Sequence, residues 1–138
     1  KVATIDPLPH NVKMYWNCID DNDGEKSRAQ LLSNYSDLIS PYIWFIEGKS
    51  EDVLKRFELS RIHFAFLDGA HEYRDVQYEV SFVRSRQKKG DIIFFDDYQE
   101  SYFPGIVKAV KELDAEGSYR TNIIVANQQR GYAMAKKL

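Results

Sequence analysis

KGDIIFFDDY, residues 89–98, is the stretch on which the reading of this chain turns. Four apolar residues, Ile92 to Phe95, stand between a Lys89-Gly90 turn and a pair of carboxylates. A run this short, made of β-branched and aromatic residues and punctuated at both ends, reads as a buried strand rather than a piece of helix. Strands of that kind belong to parallel sheets covered by helices.

The pattern repeats on either side. Ile62 to Leu67 forms a third apolar run closed by Asp68-Gly69, and Tyr73, Val76, Val80 and Val83 follow at helical spacing. Further upstream, Tyr42 to Ile46 reads as a strand, and Glu47-Gly48-Lys49-Ser50 turns it into a helix over residues 51–57 with Ser50 as N-cap. Val2-Ala3-Thr4-Ile5 is a strand stopped by Asp6-Pro7. Val12, Tyr15, Trp16 and Ile19 suggest a short helix, and Ala29, Leu32, Tyr35, Leu38 and Ile39 another that ends before Pro41. The polar segment from Asp20 to Gly24 lacks the ligand spacing of a calcium loop, since Gly24 at the sixth position would put Ile19 first and Gln30 last. Downstream, Pro104-Gly105 opens a helix with Ile106, Val110 and Leu113 on its inner face. Tyr119 to Ala126 and Tyr132 to Ala135 then read as a closing antiparallel pair. The expected fold is α/β and doubly wound, with a mostly parallel sheet and a C-terminal antiparallel strand pair. At 138 residues it is expected to be a single domain with one core.

Bulk composition narrows the partners. The chain is 43% hydrophobic and 14% aromatic, enough for a packed interior, but no run approaches the roughly 18 apolar residues of a membrane span. A net charge of −2 gives no long-range pull toward nucleic acid or an anionic membrane, so a small-molecule partner is expected. The single cysteine, Cys18, excludes an internal disulfide, and no charged-then-apolar leader is seen, so the cytoplasm is the expected compartment.

Chemistry concentrates at strand ends. In open α/β sheets ligands sit outside the carboxyl ends of the strands, and Asp6, Glu47, Asp68 and Asp96-Asp97 all fall at such ends. Turn chemistry alone also favours aspartate there. Adjacent carboxylates disfavour joint ionisation unless a cation or strong donors compensate them. Asp68, Asp96 and Asp97 could converge on one hard cation, because consecutive parallel strands tend to be neighbours. His71 then reads as a general base, a metal ligand, or a helix-start histidine bonded to a neighbouring carboxylate. A phosphate-receiver domain is disfavoured, since its acidic pair follows the first strand and works with a lysine at a later strand end.

At these residues the sequence resembles class I S-adenosylmethionine-dependent methyltransferases. The resemblance rests on Phe66-Leu67-Asp68-Gly69-Ala70-His71-Glu72-Tyr73, on the 89–98 stretch, and on Pro104-Gly105-Ile106-Val107-Lys108-Ala109-Val110. It is similar in particular to small bacterial O-methyltransferases, which are akin to the sugar and macrolide O-methyltransferases. The resemblance implies a Rossmann-like sheet and S-adenosylmethionine as cofactor. It assigns Asp6 to the cofactor ribose, Gly48, Lys49 and Ser50 to the adenine turn, and Asp68 to the cofactor-binding set as well. Asp68, Asp96 and Asp97 match the magnesium positions of metal-dependent members, where Mg2+ would hold a hydroxylated small-molecule acceptor. Either Asp68 or His71 would take the acceptor proton.

The chain departs from that family at its start. Such domains open with a strand and a glycine-rich loop, whereas Gly24, Gly48, Gly69, Gly90, Gly105, Gly117 and Gly131 form no G-x-G cluster. Val2 to Asp6 matches the family's second strand, so the first strand and its loop are expected to be missing from this stretch, leaving an exposed sheet edge compatible with a homodimer. Two further functions stay open at this level: a hydroxylase-like relative with a similar metal site, and a non-catalytic module of the same fold. Tyr98, Tyr102 and Phe103 either line an acceptor pocket or pack beneath the following helix.

Overall fold

The structure, a computed structural model, describes residues 1–13, 25–69, 71–127 and 130–138. Within it the chain forms two compact units, Lys1–Val53 and Leu54–Leu138.

In the first unit β1 (Val2–Asp6) pairs in parallel with β2 (Ile43–Glu47), in a register running from Val2 opposite Ile43 to Asp6 opposite Glu47. The connection contains α1 (Arg28–Leu32), a 3₁₀ turn (Ser33–Tyr35) and α2 (Ser36–Ile39). α1 starts on a capping box: the Ser27 hydroxyl accepts the Gln30 N–H while the Gln30 side chain accepts the Ser27 N–H. The single helix expected over this stretch is divided, because Ser33, Asn34 and Ser36 are residues whose polar side chains compete with helical hydrogen bonding. The Ser33 hydroxyl does so here, donating to the Gln30 carbonyl at 2.8 Å. α3 (Ser50–Leu54) is shorter than the helix expected over residues 51–57. Ser50 is its first residue, not its N-cap; the Lys49 carbonyl accepts the Asp52 and Val53 N–H groups instead. Of the helix expected over Val12, Tyr15, Trp16 and Ile19, only Val12 falls among the described residues, in a bend, and the Asp20–Gly24 loop lies outside them.

The second unit holds β3 (Phe64–Leu67), α4 (Tyr73–Arg84), β4 (Ile92–Phe95), α5 (Pro104–Ala115), β5 (Tyr119–Val125) and β6 (Gly131–Lys137). The strand order is β3-β4-β6-β5, with β3 and β4 parallel and the other neighbours antiparallel. β4 therefore sits between the parallel part of the sheet and the closing hairpin, which is why its end is so well anchored. α4 contributes Val76, Val80 and Val83 to the core, and α5 contributes Ile106, Ala109, Val110 and Leu113. They pack with Ile93 and Phe95 of β4 and Ala133 and Ala135 of β6. The alanines keep the β6 surface low enough for the helices to approach. Burial along β4 alternates, Ile93 and Phe95 being closed off while Ile92 and Phe94 are half-buried. Near-continuous burial, expected from four apolar letters in a row, is thus corrected to a two-residue period. The alternate face carries an aromatic row, Phe66 to Phe94 at 5.8 Å and Phe94 to Tyr132 at 5.5 Å between ring centroids.

Candidate active site

The parallel ladder between β3 and β4 sets the site. Leu67 lies opposite Phe95, and the Asp96 N–H donates to the Leu67 carbonyl at 3.0 Å, carrying the pairing one step past both strands. Asp68 and Asp96 are thereby set side by side at adjoining strand ends. The Asp68 carboxyl is pushed above its ordinary value. Although Asp68 is exposed overall, partial desolvation of its carboxyl is the largest cause, followed by the charges of Asp96 and Asp97; Arg130 and His71 pull the other way.

The two members of the aspartate pair face different partners. Asp96 is buried at 3% exposure. Its Oδ1 accepts the Asp97 N–H at 2.8 Å and its Oδ2 accepts from the Arg130 guanidinium at 2.7 Å. Asp97 adopts φ 54°, a left-handed conformation that aspartate visits more readily than most side chains. That turn directs its Oδ2 to within 3.1 Å of His71 Nε2.

The turn bearing His71 is fixed by the start of α5. A Cβ at Gly105 would lie 2.5 Å from the His71 carbonyl oxygen and 2.6 Å from the Tyr73 nitrogen, so only glycine lets the two backbones meet. The His71 ring is 4.4 Å from that of Phe103, the residue preceding α5. With Nε2 donating to Asp97, a neutral imidazole presents Nδ1 as a proton acceptor. Tyr98 and Phe103 pack against the core, while Tyr102 is exposed at 63%.

Arg130 escaped the sequence reading. It precedes β6, and its position is held by main-chain contacts: its carbonyl accepts the Ala126 and Asn127 N–H groups at 3.0 and 3.1 Å. Next to it, the Gly131 carbonyl accepts the Tyr98 N–H at 2.8 Å, and a Cβ on Gly131 would come within 2.5 Å of the Tyr98 oxygen. The one signal in the sequence was an arginine-glycine pair at the entry to the last strand, which says nothing by itself about a partner 34 residues away.

The expected nucleoside positions lie in the first unit. Asp6 closes β1; its Oδ1 accepts the Leu8 N–H at 2.8 Å and its Oδ2 is paired with Arg28. The Gly48 N–H donates to the Asp6 carbonyl at 3.0 Å, bringing the Gly48-Lys49-Ser50 turn against the end of β1. Gly48 is at φ 150°, and a Cβ there would stand 2.9 Å from a Val53 methyl. Glu47, the other strand-end acid, accepts the His10 N–H at 3.1 Å.

Among the described residues, two open grooves lie away from the aspartates. One of about 490 Å³ runs over α5 past Glu100, Lys108 and Glu112, and one of about 470 Å³ lies along α1, α2 and β2. The convergent polar groups are at the strand ends and not in these grooves. No helix among the described residues is long and apolar enough to cross a membrane.

Comparison with known proteins gives a consistent picture. The family model described as "Methyltransferase domain" matches residues 2–98. No curated protein matches the chain. Among solved structures, the chain is similar to an O-methyltransferase from Bacillus cereus in complex with SAH, at 15% identity and a TM-score of 0.63 over 80% of this chain and 58% of that one. It is also similar to TomG from Streptomyces achromogenes, an O-methyltransferase of tomaymycin synthesis in complex with SAM, at 14% identity and 0.61 over 79% and 55%. A third, cofactor-bound Rv0187 from MTB, aligns at 12% identity and 0.67 over 98% and 60%. The chain thus spans less than two thirds of the length of these structures, and at such identities the likeness establishes the Rossmann-like fold.

Proposed function

The chain belongs to the methyltransferase-domain family, and on that premise we propose that it serves S-adenosylmethionine-dependent O-methylation of a hydroxylated small molecule. All 138 residues are read as one methyltransferase-like domain. The observation that carries the reaction type is the His71–Asp97 pair set beside Asp68 and the buried Asp96 at adjoining ends of β3 and β4.

When bound, S-adenosylmethionine supplies an electrophilic methyl group on a sulfonium. The chain's own contribution is to bind the nucleoside and to manage one proton. Asp6 offers carboxylate oxygens to the ribose hydroxyls, as acidic residues do in dinucleotide sites. The ribose hydroxyls would share that carboxylate with Arg28, which already donates to it. Gly48, Lys49 and Ser50 supply a turn that backbone hydrogen bonding already holds against Asp6. His71 accepts the hydroxyl proton at Nδ1 as the acceptor oxygen forms its bond to carbon, and Asp97 stabilises the imidazolium. Asp68 is the second candidate base, its raised carboxyl being better matched to proton transfer than an ordinary aspartate. The cofactor, held at Asp6 and the Gly48-Lys49-Ser50 turn, would supply the methyl group and would take back the electron pair of its carbon–sulfur bond.

Magnesium at Asp68, Asp96 and Asp97 would add activation of the acceptor hydroxyl. The residues as arranged do not fit it. Both Asp96 oxygens are engaged by donors, and one Asp97 oxygen faces His71. Among the described residues no group of three or more His, Cys, Asp or Glu side chains is gathered so as to hold a metal. No step is therefore assigned to a metal.

Calorimetric titration with S-adenosylmethionine, followed by transfer of labelled methyl to a panel of phenols and sugars, tests the reading. Binding and transfer are expected, with a loss of about 10²–10⁴-fold in transfer for His71→Ala at unchanged cofactor affinity. An absence of cofactor binding would overturn the proposal in favour of a non-catalytic module.

A further inference from the structure

Asp96 raises a question that the proposed reaction leaves open: what neutralises a carboxylate that is almost wholly enclosed. A buried charge with no partner is strongly disfavoured, and its compensation must come from a cation or from donors fixed around it. Here the compensation comes from within the chain. The Arg130 guanidinium donates to Oδ2 at 2.7 Å, and the Asp97 N–H covers Oδ1 at 2.8 Å. Asp96 holds the pair at one end, with only 4% of its side chain exposed, while Arg130 remains half in solvent.

The arginine is delivered by a built arrangement. β6 pairs with β4 along its length, from Ile92 opposite Lys136 to Phe95 opposite Ala133. One further contact, from the Tyr98 N–H to the Gly131 carbonyl, ties the start of β6 to the segment just past the aspartate pair. Gly131 has no room for a side chain against the Tyr98 oxygen. The Arg130 guanidinium also lies 5.5 Å from the Tyr132 ring centroid, an aromatic contact that favours the same placement.

We infer that Arg130 is the resident cation of this strand-end cluster, a positioning residue that occupies the Asp96 carboxylate and thereby keeps divalent metal out. This rests on the reading of the cluster as the acceptor end of a methyltransferase site. The guanidinium does for Asp96 what a hard cation would do, with two differences. It cannot act as a Lewis acid on the acceptor, and its donors are planar and fixed in direction. Activation of the acceptor hydroxyl then falls to His71 with Asp97, and not to a metal-bound hydroxylate. Substitution of Arg130 by a neutral residue leaves the Asp96 Oδ2 without its donor beside Asp68, and an oxygen-ligated hard divalent ion is the natural replacement for the lost positive charge.

Mn2+ is the probe, titrated by electron paramagnetic resonance against the full chain, and the measurement needs neither cofactor nor acceptor. The natural chain is expected to show no Mn2+ association at or below about 1 mM, near the weak end of protein sites for hard divalent ions. Arg130→Gln is expected to gain binding by at least about tenfold, a change of about 1.4 kcal/mol. Adding Asp96→Asn is expected to abolish that gain, and Arg130→Lys, which keeps the charge, is expected to stay like the natural chain. Circular dichroism checks that each variant is folded. Sub-millimolar binding by the natural chain that is lost in Asp96→Asn would overturn the inference, and this arm holds even if Arg130→Gln does not fold. A folded Arg130→Gln with no gain would overturn it as well. Because no methyl transfer is involved, a failed methylation assay with the expected Mn2+ pattern would sink the proposed reaction while leaving the role of Arg130 standing.

Discussion

Residues 1–53 and residues 54–138 are written with the same vocabulary, apolar strands closed by acids and followed by helices, yet their interiors differ sharply. Among the described residues every fully buried apolar side chain belongs to the second unit. In the first, β1 and β2 reach only intermediate burial, and Val2 and Trp44 are exposed at 57% and 44%. Among the described residues there, Ser27, a capping hydroxyl, is the one closed off. The difference teaches that strand propensity, helix caps and strand-end acids suffice to specify elements. A core needs two long amphipathic helices meeting an alternating sheet face, and α4 and α5 supply these only to the second unit. Deep burial in turn lends rigidity to the Asp96 end, whereas Asp6 is held by hydrogen bonds near the surface.

The comparison can be broken by mutation. Phe95→Ala should have the largest effect, a loss of about 3–5 kcal/mol for a fully enclosed aromatic. Both tryptophans, Trp16 and Trp44, lie before residue 54, so tryptophan fluorescence reports on the first unit while far-UV dichroism is weighted to the second. Separate shifts of the two signals on denaturant titration would sustain the contrast; identical shifts would show one cooperative unit. Gly105→Ala should come next, at about 1–3 kcal/mol, since its Cβ meets backbone atoms that cannot rotate away. Its extra signature should be a loosened His71, visible in imidazole NMR line shapes. Ser27→Ala should cost about 1 kcal/mol through the lost cap, and should appear in the fluorescence transition first.

The smallest effect concerns acid. The Asp91 carboxyl is held at about 2, chiefly by the Arg61 guanidinium and then by the Lys88 N–H. Its folded value lies below the unfolded one, so its contribution to stability is present above about pH 4 and fades as pH falls toward 2. Asp91→Asn should flatten the fall in unfolding midpoint over that window. An unchanged slope would remove Asp91 from the account.

Much of the second unit was legible because its signals are local. The run Ile92–Phe95 marks β4 at both ends, Pro104-Gly105 opens α5, and the valine spacing from Tyr73 gives α4. The juxtaposition of Asp68 with Asp96 followed from the parallel pairing of consecutive strands. Legibility failed where competing local bonds or distant partners decide. Ser33 breaks a helix that apolar spacing alone would continue, and Ser50 enters α3 because Lys49 takes the capping position. Arg130 could not be read as the partner of Asp96, because that pairing depends on how β6 is registered against β4. Asp68, Asp96 and Asp97 suggested a metal from their strand-end positions, and no spacing in the sequence pointed to the Arg130–Asp96 pair across 34 residues.

The doublet Asp96-Asp97 looks symmetrical in letters, but its two residues are not equivalent in backbone handedness. The φ of 54° at Asp97 turns one carboxylate outward, while the other stays in the closed interior. The tolerated alphabets of the two positions should therefore diverge. At 97 glycine and asparagine suit the backbone and valine or isoleucine do not. At 96 charge and enclosure govern instead, because the carboxylate is closed in and held by two donors. A strand end of this kind behaves as a fork, sending one prong to the last strand and the other to the start of a helix.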